Sequence, residues 1–340
     1  MNGRERMLTA MDLGEPDRVP IWELIINDPV IEAIAGPMSG EDFAAREGLD
    51  GMTIFEDTKV VEWEDRTTYR DEWGIRWRIE PSGLAYPGGG PISSEEDLDS
   101  YSPPDPDDDH RLVTLERAIK QYGDEMAIIF LSHEAFEFSH YLHGMKNLLV
   151  DYYRNPKMAI RLAEMVTDYK TGLIERACDM GADMIVTGDD YCNRTGPIMS
   201  LDHFKKFVLP YLEATVNTSH RKGVPHIKHT DGNIWPILDM MIGVGIDAID
   251  PLEPIAGMDI GEVKERYGDR LCLMGNIDCG DLLSRGTPEQ VASMVRTTIG
   301  RAAKGGGYVL ASSNSIHPAV KPVNYSTMVM AGRQYGSYPI

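Results

Sequence analysis

The sequence predicts an α/β protein, a (β/α)8 barrel with a hairpin and loop insertion after its second strand. Eight short apolar runs recur along 340 residues, and each ends in a cluster of polar, acidic or histidine side chains. Amphipathic helical stretches separate most of these runs. A repeated strand–helix order closes most naturally into a barrel, and barrel enzymes carry their chemistry at the carboxyl ends of the strands. The polar run ends therefore indicate where a site should lie.

The eight candidate strands are short, and the later ones are apolar on both faces, as is typical of parallel strands covered by helices. Gly and Pro are spread along the chain without a linker, which favours one domain over residues 1–340. The candidate strands are Val19–Leu24, Gly51–Phe55, Ala127–Leu131, Asp183–Thr187, Pro225–Lys228, Asp247–Asp250, Leu271–Gly275 and Tyr308–Ala311.

Four helices carry clear end signals. These signals are an Asn before a first-turn Pro, a Gly just past the last turn, and a Thr-Pro-Glu-Gln capping box. The predicted helices are Pro156–Met180, Leu201–Lys222, Asp259–Tyr267 and a helix from Thr287 to about Lys304.

Residues 60–109 interrupt this order. Trp73 and Trp77 alternate with charges across Thr67–Glu80, and Trp63 precedes them, which predicts an antiparallel hairpin. An acidic, turn-rich tract follows at Tyr101–Asp109. We predict an insertion near the barrel mouth that could overhang it. A solvated surface excursion is an equally open interpretation.

Composition narrows the function classes. The formal net charge of −21 argues against a nucleic-acid partner, which requires clustered Lys and Arg. Four cysteines without a CxxC pair favour reduced thiols. The first residues contain no apolar run typical of a signal peptide, and no segment is long enough to span a membrane, so we expect a cytoplasmic protein. Homo-oligomerisation is left open.

If the strand register is right, carboxylates outnumber cations at the barrel mouth. Such a site suits a divalent metal, or carboxylates whose pKa values rise through mutual repulsion and which then act as acids and bases. The pair His229 and Asp231 is the leading candidate, because residues two apart on a strand face the same way. The predicted mouth residues are Glu23, Asn27, Glu56, Asp57, His133, Glu134, Asp189, Asp190, Tyr191, His229, Asp231, Glu253, Asn276, Asp278 and Asn314.

Structural roles compete with several of these assignments. Asp231 or Asp278 could simply cap the following helix. His133 lies beside the aromatic segment Phe136–Phe138 and could be packed there. Asp189 and Asp190 cannot both point inwards from a regular strand, so one of them could be structural.

Several motifs together resemble the uroporphyrinogen decarboxylase superfamily, and the resemblance covers almost the whole chain. The superfamily fold is a (β/α)8 barrel, in agreement with the strand count. The matching segments are Arg4–Met7, Asp17–Pro20, His229–Ile234, Met274–Asp278, Gly286–Val291 and Ser312–Pro318.

Departures from the superfamily patterns separate its activities. The decarboxylases carry an Arg-rich segment after the first strand, whereas Pro20–Asp28 contains no Arg, and Asn314 stands where they carry a His. Thiol-specific methyltransferases bind zinc through His-x-Cys and a distant Cys. Here Asp231 replaces the first of those cysteines, and Asn314 or a neighbouring Ser replaces the second.

The resemblance therefore implies a corrinoid-dependent methyltransferase. It would move a methyl group from a small methylated donor, such as an aromatic methyl ether (O-demethylation), to the cobalt of a corrinoid protein. The partners would be that protein and the donor, with no nucleic acid and no membrane. A uroporphyrinogen decarboxylase-like lyase acting on a smaller carboxylic acid is the alternative, and a non-catalytic binding role is a third hypothesis.

The same resemblance assigns expected roles to the mouth residues. Zinc at His229 and Asp231 is an open but less favoured alternative, since the thiolates are missing. The expected catalytic residues are His229, Asp231, Asp189, Asp190 and Glu134, and the expected substrate-binding residues are Tyr191, Asn276, Asn314, Glu23 and His133.

Overall fold

The computed structural model describes residues 1–340, and its main sheet is a curled layer of seven parallel strands in the order β1-β6-β7-β10-β11-β12-β13. The strands are β1 (Gly51–Phe55), β2 (Val60–Trp63), β3 (Thr68–Asp71), β4 (Arg76–Ile79), β5 (Ala85–Gly89), β6 (Ala127–Ser132), β7 (Met184–Gly188), β8 (Cys192–Asn193), β9 (Gly196–Pro197), β10 (His226–His229), β11 (Ala248–Asp250), β12 (Cys272–Ile277) and β13 (Tyr308–Ser312).

Helices connect successive strands of this sheet, as the predicted α/β barrel requires. They are α1 (Gly3–Met11), α2 (Asp28–Ala35), α3 (Gly40–Glu47), α4 (Glu95–Ser100), α5 (Val113–Tyr122), α6 (Ala135–His143), α7 (Met145–Arg154), α8 (Pro156–Met180), α9 (Leu201–Phe207), α10 (Leu209–Arg221), α11 (Trp235–Gly243), α12 (Ile260–Tyr267), α13 (Leu282–Arg285), α14 (Pro288–Ala302) and α15 (Pro322–Tyr335), with short 3-10 helices at Asp109–Leu112 and Pro254–Ala256. No helix is both long and apolar enough to cross a membrane.

An extended segment fills the eighth position of the barrel, between β13 and β1. The Leu310 N–H donates to the carbonyl of Pro20 (2.9 Å), and the Asp50 N–H donates to the carbonyl of Ile21 (2.8 Å). The prediction of a regular strand at Val19–Leu24 is wrong, although the segment takes the predicted place. Pro20 has no N–H to donate to a ladder, which limits regular pairing there.

Most predicted helix ends are confirmed. Helix α8 spans the predicted residues and is capped by Asn155, and α14 begins with the predicted capping box. The stretch predicted as one helix over Leu201–Lys222 is two helices, α9 and α10. Pro210 lies in the first turn of α10, where it cannot donate the backbone hydrogen bond that would continue α9.

The buried side chains form two apolar layers, which show which end of the barrel is open. The inner layer joins side chains of the strands with Met7, Ala10 and Met11 of α1. The Arg4 N–H donates to the carbonyl of Glu125, just before β6, so α1 closes the amino-terminal end. A larger layer of buried side chains lies between strands and outer helices. The carboxyl end is left for a site.

Strands β2–β5 form a four-stranded antiparallel sheet, here called the insertion sheet. The predicted hairpin within Thr67–Glu80 is confirmed as the pair β3 and β4. Trp73 packs edge-on against Phe138 of α6 and Tyr169 of α8. The fully buried Arg111 beyond the acidic tract pairs with Glu56 (3.1 Å), directly after β1. The insertion sheet is therefore packed beside the mouth.

Candidate active site

Asp190, His229 and Asp231 converge at the open end of the barrel and are called here the His229 cluster. His229 is the last residue of β10, and Asp190 follows the neighbouring strand β7 by two residues. One ligand atom from each of the three lies within 4.8 Å of the others. His229 Nε2 is 3.7 Å from Asp231 Oδ1, and the Asp231 N–H donates to Asp190 Oδ1 (2.9 Å).

Asp250, the last residue of β11, orients His229. The two residues are register partners in the parallel ladder, and His229 Nδ1 lies 2.6 Å from Asp250 Oδ2. Burial disfavours the imidazolium, but the hydrogen bond to Asp250 and the charges of Asp250 and Asp190 raise the pKa of His229 to about 9. His229 is thus protonated at neutral pH, and its Nε2 has no hydrogen-bond partner.

The Asp231 carboxyl is held as a neutral acid. Its side chain is 24% exposed, and burial together with the charge of Asp190 raises its pKa to about 8, against the opposing charge of His229. Asn314 donates to Oδ2, while Oδ1 is buried without a partner. Asp231 does not cap a helix, because α11 begins four residues later without a side-chain cap.

Gly232 allows the loop after Asp231 to adopt its path. Its φ is +87°, and a Cβ there would lie 2.6 Å from the Asn193 carbonyl oxygen. Its N–H donates to Glu253 Oε2 (2.8 Å), which fixes the loop after β11 to the cluster. The position therefore requires glycine.

Asp189 lies next to the His229 cluster in the chain, but its carboxylate binds the start of α6. Its carboxylate accepts the N–H groups of Glu134 (3.0 Å) and Glu137 (2.9 Å) at the start of α6. Burial would raise its pKa, but the hydrogen bond from His133 and the charge of Lys228 lower it to about 2. Of the two adjacent aspartates, Asp189 holds a helix end and Asp190 joins the His229 cluster.

Glu134 and Lys228 form a buried ion pair below the mouth. Lys228 Nζ lies 2.8 Å from Glu134 Oε1, which also accepts from the Thr187 hydroxyl (2.5 Å). Burial raises the pKa of Glu134 to about 7 despite the charge of Lys228. The Lys228 ammonium also lies 4.2 Å from the ring centre of Tyr191, whose hydroxyl is buried without a partner.

Of the expected substrate contacts, His133 and Asn314 lie nearest to open space. His133 is 28% exposed, and its Nδ1 lies 2.7 Å from Glu137 Oε2. Burial lowers its pKa, but the charge of Glu137 and the hydrogen bond with Asp189 outweigh burial and raise the pKa to about 10.

The structure does not bring Glu23 or Tyr191 to the open mouth. Glu23 is 5% exposed and accepts from the Ser312 hydroxyl (2.6 Å), and burial raises its pKa well above the usual range. Tyr191 is fully enclosed. Asn276, 9% exposed, donates its amide to the carbonyls of Leu252 and Met258, which joins two barrel loops.

Sequence reasoning missed the roles of two residues. The sequence pattern identifies Asp250 only as the end of a strand and Lys228 only as the end of an apolar run. Both residues carry a signal in the sequence. A Lys within a buried strand requires a buried acidic partner, and an Asp that ends the neighbouring strand lies within reach of the His229 side chain.

The His229 cluster fits a divalent cation. Asp250 occupies Nδ1 of His229, which leaves Nε2 available, as is usual for a metal-bound histidine. Asp190 and Asp231 add carboxylate oxygens. No cysteine sulfur joins the cluster, and burial raises the pKa values of Cys192 and Cys279 to about 12, so that both stay thiols. The donor set is one of nitrogen and oxygen without thiolate.

Comparison with known proteins agrees with this architecture. The family model "Uroporphyrinogen decarboxylase (URO-D)" matches residues 67–335. The uroporphyrinogen decarboxylase of Alkalilimnicola ehrlichii is 25% identical over 357 aligned positions, which cover 97% of this chain and 93% of that one. The enzyme of the same name from Chlorobaculum tepidum is 28% identical over 297 aligned positions, which cover 83% of this chain and 79% of that enzyme.

Among solved structures, a methyltransferase from Methanosarcina mazei superposes with a TM-score of 0.79. The match covers 98% of this chain and 99% of that one, at 17% sequence identity. At this identity the likeness supports the fold and not a shared activity.

Proposed function

The chain belongs to the uroporphyrinogen decarboxylase family, and we propose that it is a methyltransferase that moves a methyl group from a small oxygen-linked donor to the cobalt of a corrinoid protein. One observation carries the proposal. His229 Nε2 and Asp231 Oδ1 lie 3.7 Å apart, both lack hydrogen-bond partners, and both groups hold a proton at neutral pH. Two proton donors are thus available to one oxygen atom.

This arrangement meets the chemical demand of the reaction. When the methyl–oxygen bond breaks, the methyl group passes to the acceptor and the bonding electron pair stays on oxygen. An alkoxide or phenolate is a poor leaving group unless it is protonated. Asp231 would give its proton to that oxygen, while the His229 imidazolium donates a hydrogen bond and stabilises the carboxylate left behind. A reduced corrinoid, as the second substrate, supplies the nucleophile, so the protein need not.

A divalent cation is the alternative source of activation. His229 Nε2 and the carboxylates of Asp190 and Asp231 would hold it, and it would act as a Lewis acid on the donor oxygen. Elemental analysis separates the two accounts. One stoichiometric metal ion that is lost in both His229→Ala and Asp231→Ala would favour the cation, and a metal-free active protein would favour the proton.

The charges of the mouth count against a substrate with many carboxylates. Pro20–Asp28 contains no Arg, and the buried Lys228 and Lys170 are paired with Glu134 and Glu56. The negative charges of Asp190 and Glu253 are close enough to Asp231 to raise its pKa. A polyanion would meet repulsion there. The family match keeps decarboxylation of a smaller acid as the second candidate.

The decisive experiment mixes the protein with cob(I)alamin and a panel of methyl ethers, and follows methylcobalamin by absorbance. We expect transfer from at least one ether, with kcat reduced about 10²–10⁴-fold in Asp231→Asn. Asp168→Asn, on the exposed face of α8, is the matched control and should keep the wild-type rate. The rate should fall above about pH 8, where Asp231 loses its proton.

Three outcomes would contradict the proposal. Folded protein without transfer across the panel would remove the ether version, and an Asp231→Asn variant with full activity would remove the acid role. Release of carbon dioxide from a small acid without any corrinoid would establish the decarboxylase alternative.

A further inference from the structure

The extended segment in the eighth barrel position pairs with the chain around β13 at two points. Ile21 forms a parallel bridge with Leu310, and Ile26 forms one with Ile316. Ile26 lies five residues after Ile21, whereas Ile316 lies six residues after Leu310. The chain after β13 therefore holds one extra residue between the two bridges, as in a β-bulge. Bulges are frequent beside active sites, where they change the direction in which a side chain points.

Asn314 lies in this bulge and reaches the His229 cluster. Its side-chain Oδ1 accepts the N–H of Ser315 (2.7 Å), so the amide nitrogen is the end that points away from the bulge. That nitrogen donates to Asp231 Oδ2. Asp231 Oδ1 is left without a partner, 3.7 Å from His229 Nε2. The orientation of Asn314 therefore determines which oxygen of Asp231 is free.

Ser312, the last residue of β13, connects the bulge to the extended segment. Its hydroxyl oxygen contacts the backbone carbonyl of Asn314 and lies 2.6 Å from Glu23 Oε2. The Ser312 N–H also donates to Glu23 Oε1 (3.1 Å). Glu23 therefore contacts both the backbone and the side chain of the residue that precedes the bulge.

The direction of the hydrogen bond between Glu23 and the Ser312 hydroxyl depends on whether Glu23 is ionised, because a hydroxyl has only one proton to donate. With Glu23 ionised, Ser312 donates that proton to the carboxylate, and its contact with the Asn314 carbonyl has none. With Glu23 protonated, Glu23 donates to the Ser312 oxygen, and Ser312 donates to the Asn314 carbonyl. Only the protonated form makes both contacts hydrogen bonds.

The surroundings of Glu23 favour this protonated form. Glu23 is 5% exposed, and the groups that act on it include the negative charge of Asp250 but no cation. Burial raises the pKa of Glu23 well above its ordinary value, although the hydrogen bonds with Ser312 oppose this. The hydrogen-bond geometry and the environment therefore agree on a neutral carboxyl.

We propose that Glu23 is a positioning residue of the candidate site. Through Ser312 it holds the bulge that presents the Asn314 amide to Asp231 Oδ2. Asp231 Oδ1 then stays free beside His229. That this arrangement serves methyl transfer rests on the proposed function, whereas the hold on Asn314 does not. Glu23 thus acts on the site through two other residues and not as the substrate contact that its place in the sequence suggested.

The test measures hydrogen exchange of the Asn314 side-chain amide by NMR, in the full chain without donor or corrinoid. Ser312→Ala and Glu23→Leu should each speed exchange about 3–10-fold, the effect of losing one hydrogen bond. Glu23→Gln should stay within about twofold of the wild type, because its amide can donate to Ser312 as a neutral carboxyl does. The control Thr215→Val removes another buried hydroxyl, bonded to the Leu212 carbonyl (2.9 Å), and should change nothing.

Two further readouts separate positioning from a merely structural role. The infrared difference spectrum of wild type minus Glu23→Gln at pH 7 should contain the carbonyl stretch of a neutral carboxylic acid. In the transfer assay, Ser312→Ala and Glu23→Leu should lower kcat about 10-fold or more while KM changes less than about twofold. Glu23→Gln should keep both constants near the wild-type values.

Unchanged exchange in Ser312→Ala, equal damage from Glu23→Gln and Glu23→Leu, equally fast exchange in Thr215→Val, or no neutral carboxyl band would each overturn the inference. If Glu23→Leu does not fold, Ser312→Ala and Glu23→Gln still decide the question. Since exchange is measured without donor or acceptor, failure of methyl transfer alone would count only against the proposed function.

Discussion

Replacing Asp250 by Asn tests the electrostatic account of the cluster most directly. The pKa of His229 is raised from 6.5 to about 9, with the Asp250 hydrogen bond as the first of the raising causes after the opposing effect of burial. At 1.36 kcal/mol per pKa unit, this difference corresponds to about 3 kcal/mol of stabilisation of the charged form. Asp250→Asn keeps the shape and removes the charge, so the pKa of His229 should fall by about 2 units.

The sign of the pH dependence follows from linkage. A histidine whose folded pKa exceeds its unfolded pKa contributes stability that is complete below about pH 6.5 and is lost as the pH rises through about 9. Asp250→Asn should therefore cost about 2–3 kcal/mol more in free energy of unfolding at pH 6 than at pH 10.

Two measurements check this. Imidazole NMR titration gives the pKa of His229 in both proteins, and denaturant unfolding at pH 6 and pH 10 gives the stability difference. The control is Asp168→Asn, on the exposed face of α8, which should leave the pKa of His229 unchanged. A His229 pKa that stays near 9, or an equal stability loss at both pH values, would refute the account.

Three further predictions concern stability. Gly232→Ala should destabilise the protein by at least about 2 kcal/mol in denaturant unfolding, because of its positive φ and a clash with backbone, whereas Gly300→Ala on the exposed face of α14 should stabilise it by about 0.5–1 kcal/mol. Lys228→Met should cost about 3–5 kcal/mol by leaving Glu134 buried and unpaired, and adding Glu134→Gln should restore most of that loss. Asp231→Asn should raise the melting temperature at pH 7 while lowering activity, because the raised pKa of the buried acid imposes a stability cost that grows from about pH 4 to about pH 8 and stays constant above pH 8; the gain should vanish below pH 4.

Much of the fold was predictable because its signals are local. Strand β1 and helix α8 begin and end where the apolar pattern and the Asn155 cap predict. The segment Val19–Leu24 looked like a strand because its apolar residues suit a barrel wall, but Pro20 limits its pairing. The break between α9 and α10 was missed because a proline within an amphipathic pattern either bends or ends a helix, and the pattern continues past it.

The residues that meet in the candidate site were predictable in part from the sequence. Strand-end logic found His229, Asp231 and Asp190, since parallel strands bring their carboxyl ends to one edge. It could not tell Asp190 from Asp189, because neighbouring residues just past a strand follow the turn geometry and not the strand alternation. It also placed Tyr191 and Glu23 at the mouth, whereas both are buried. Phe136 of α6 and Phe204 of α9 pack against Tyr191, and Ser312 at the end of β13 donates to Glu23.

The sequence by itself determined the barrel class and the candidate location at the strand ends, because these follow from the hydrophobic pattern. It also showed that Pro20–Asp28 contains no arginine and that His229–Ile234 contains no cysteine, because these follow from composition. Only the tertiary structure decided which side chains meet. The Asp250–His229 hydrogen bond, the neutral Asp231 and the Glu23–Ser312 contact each depend on distances between segments far apart in the chain. Burial and charge act through space, so protonation states are properties of the folded molecule.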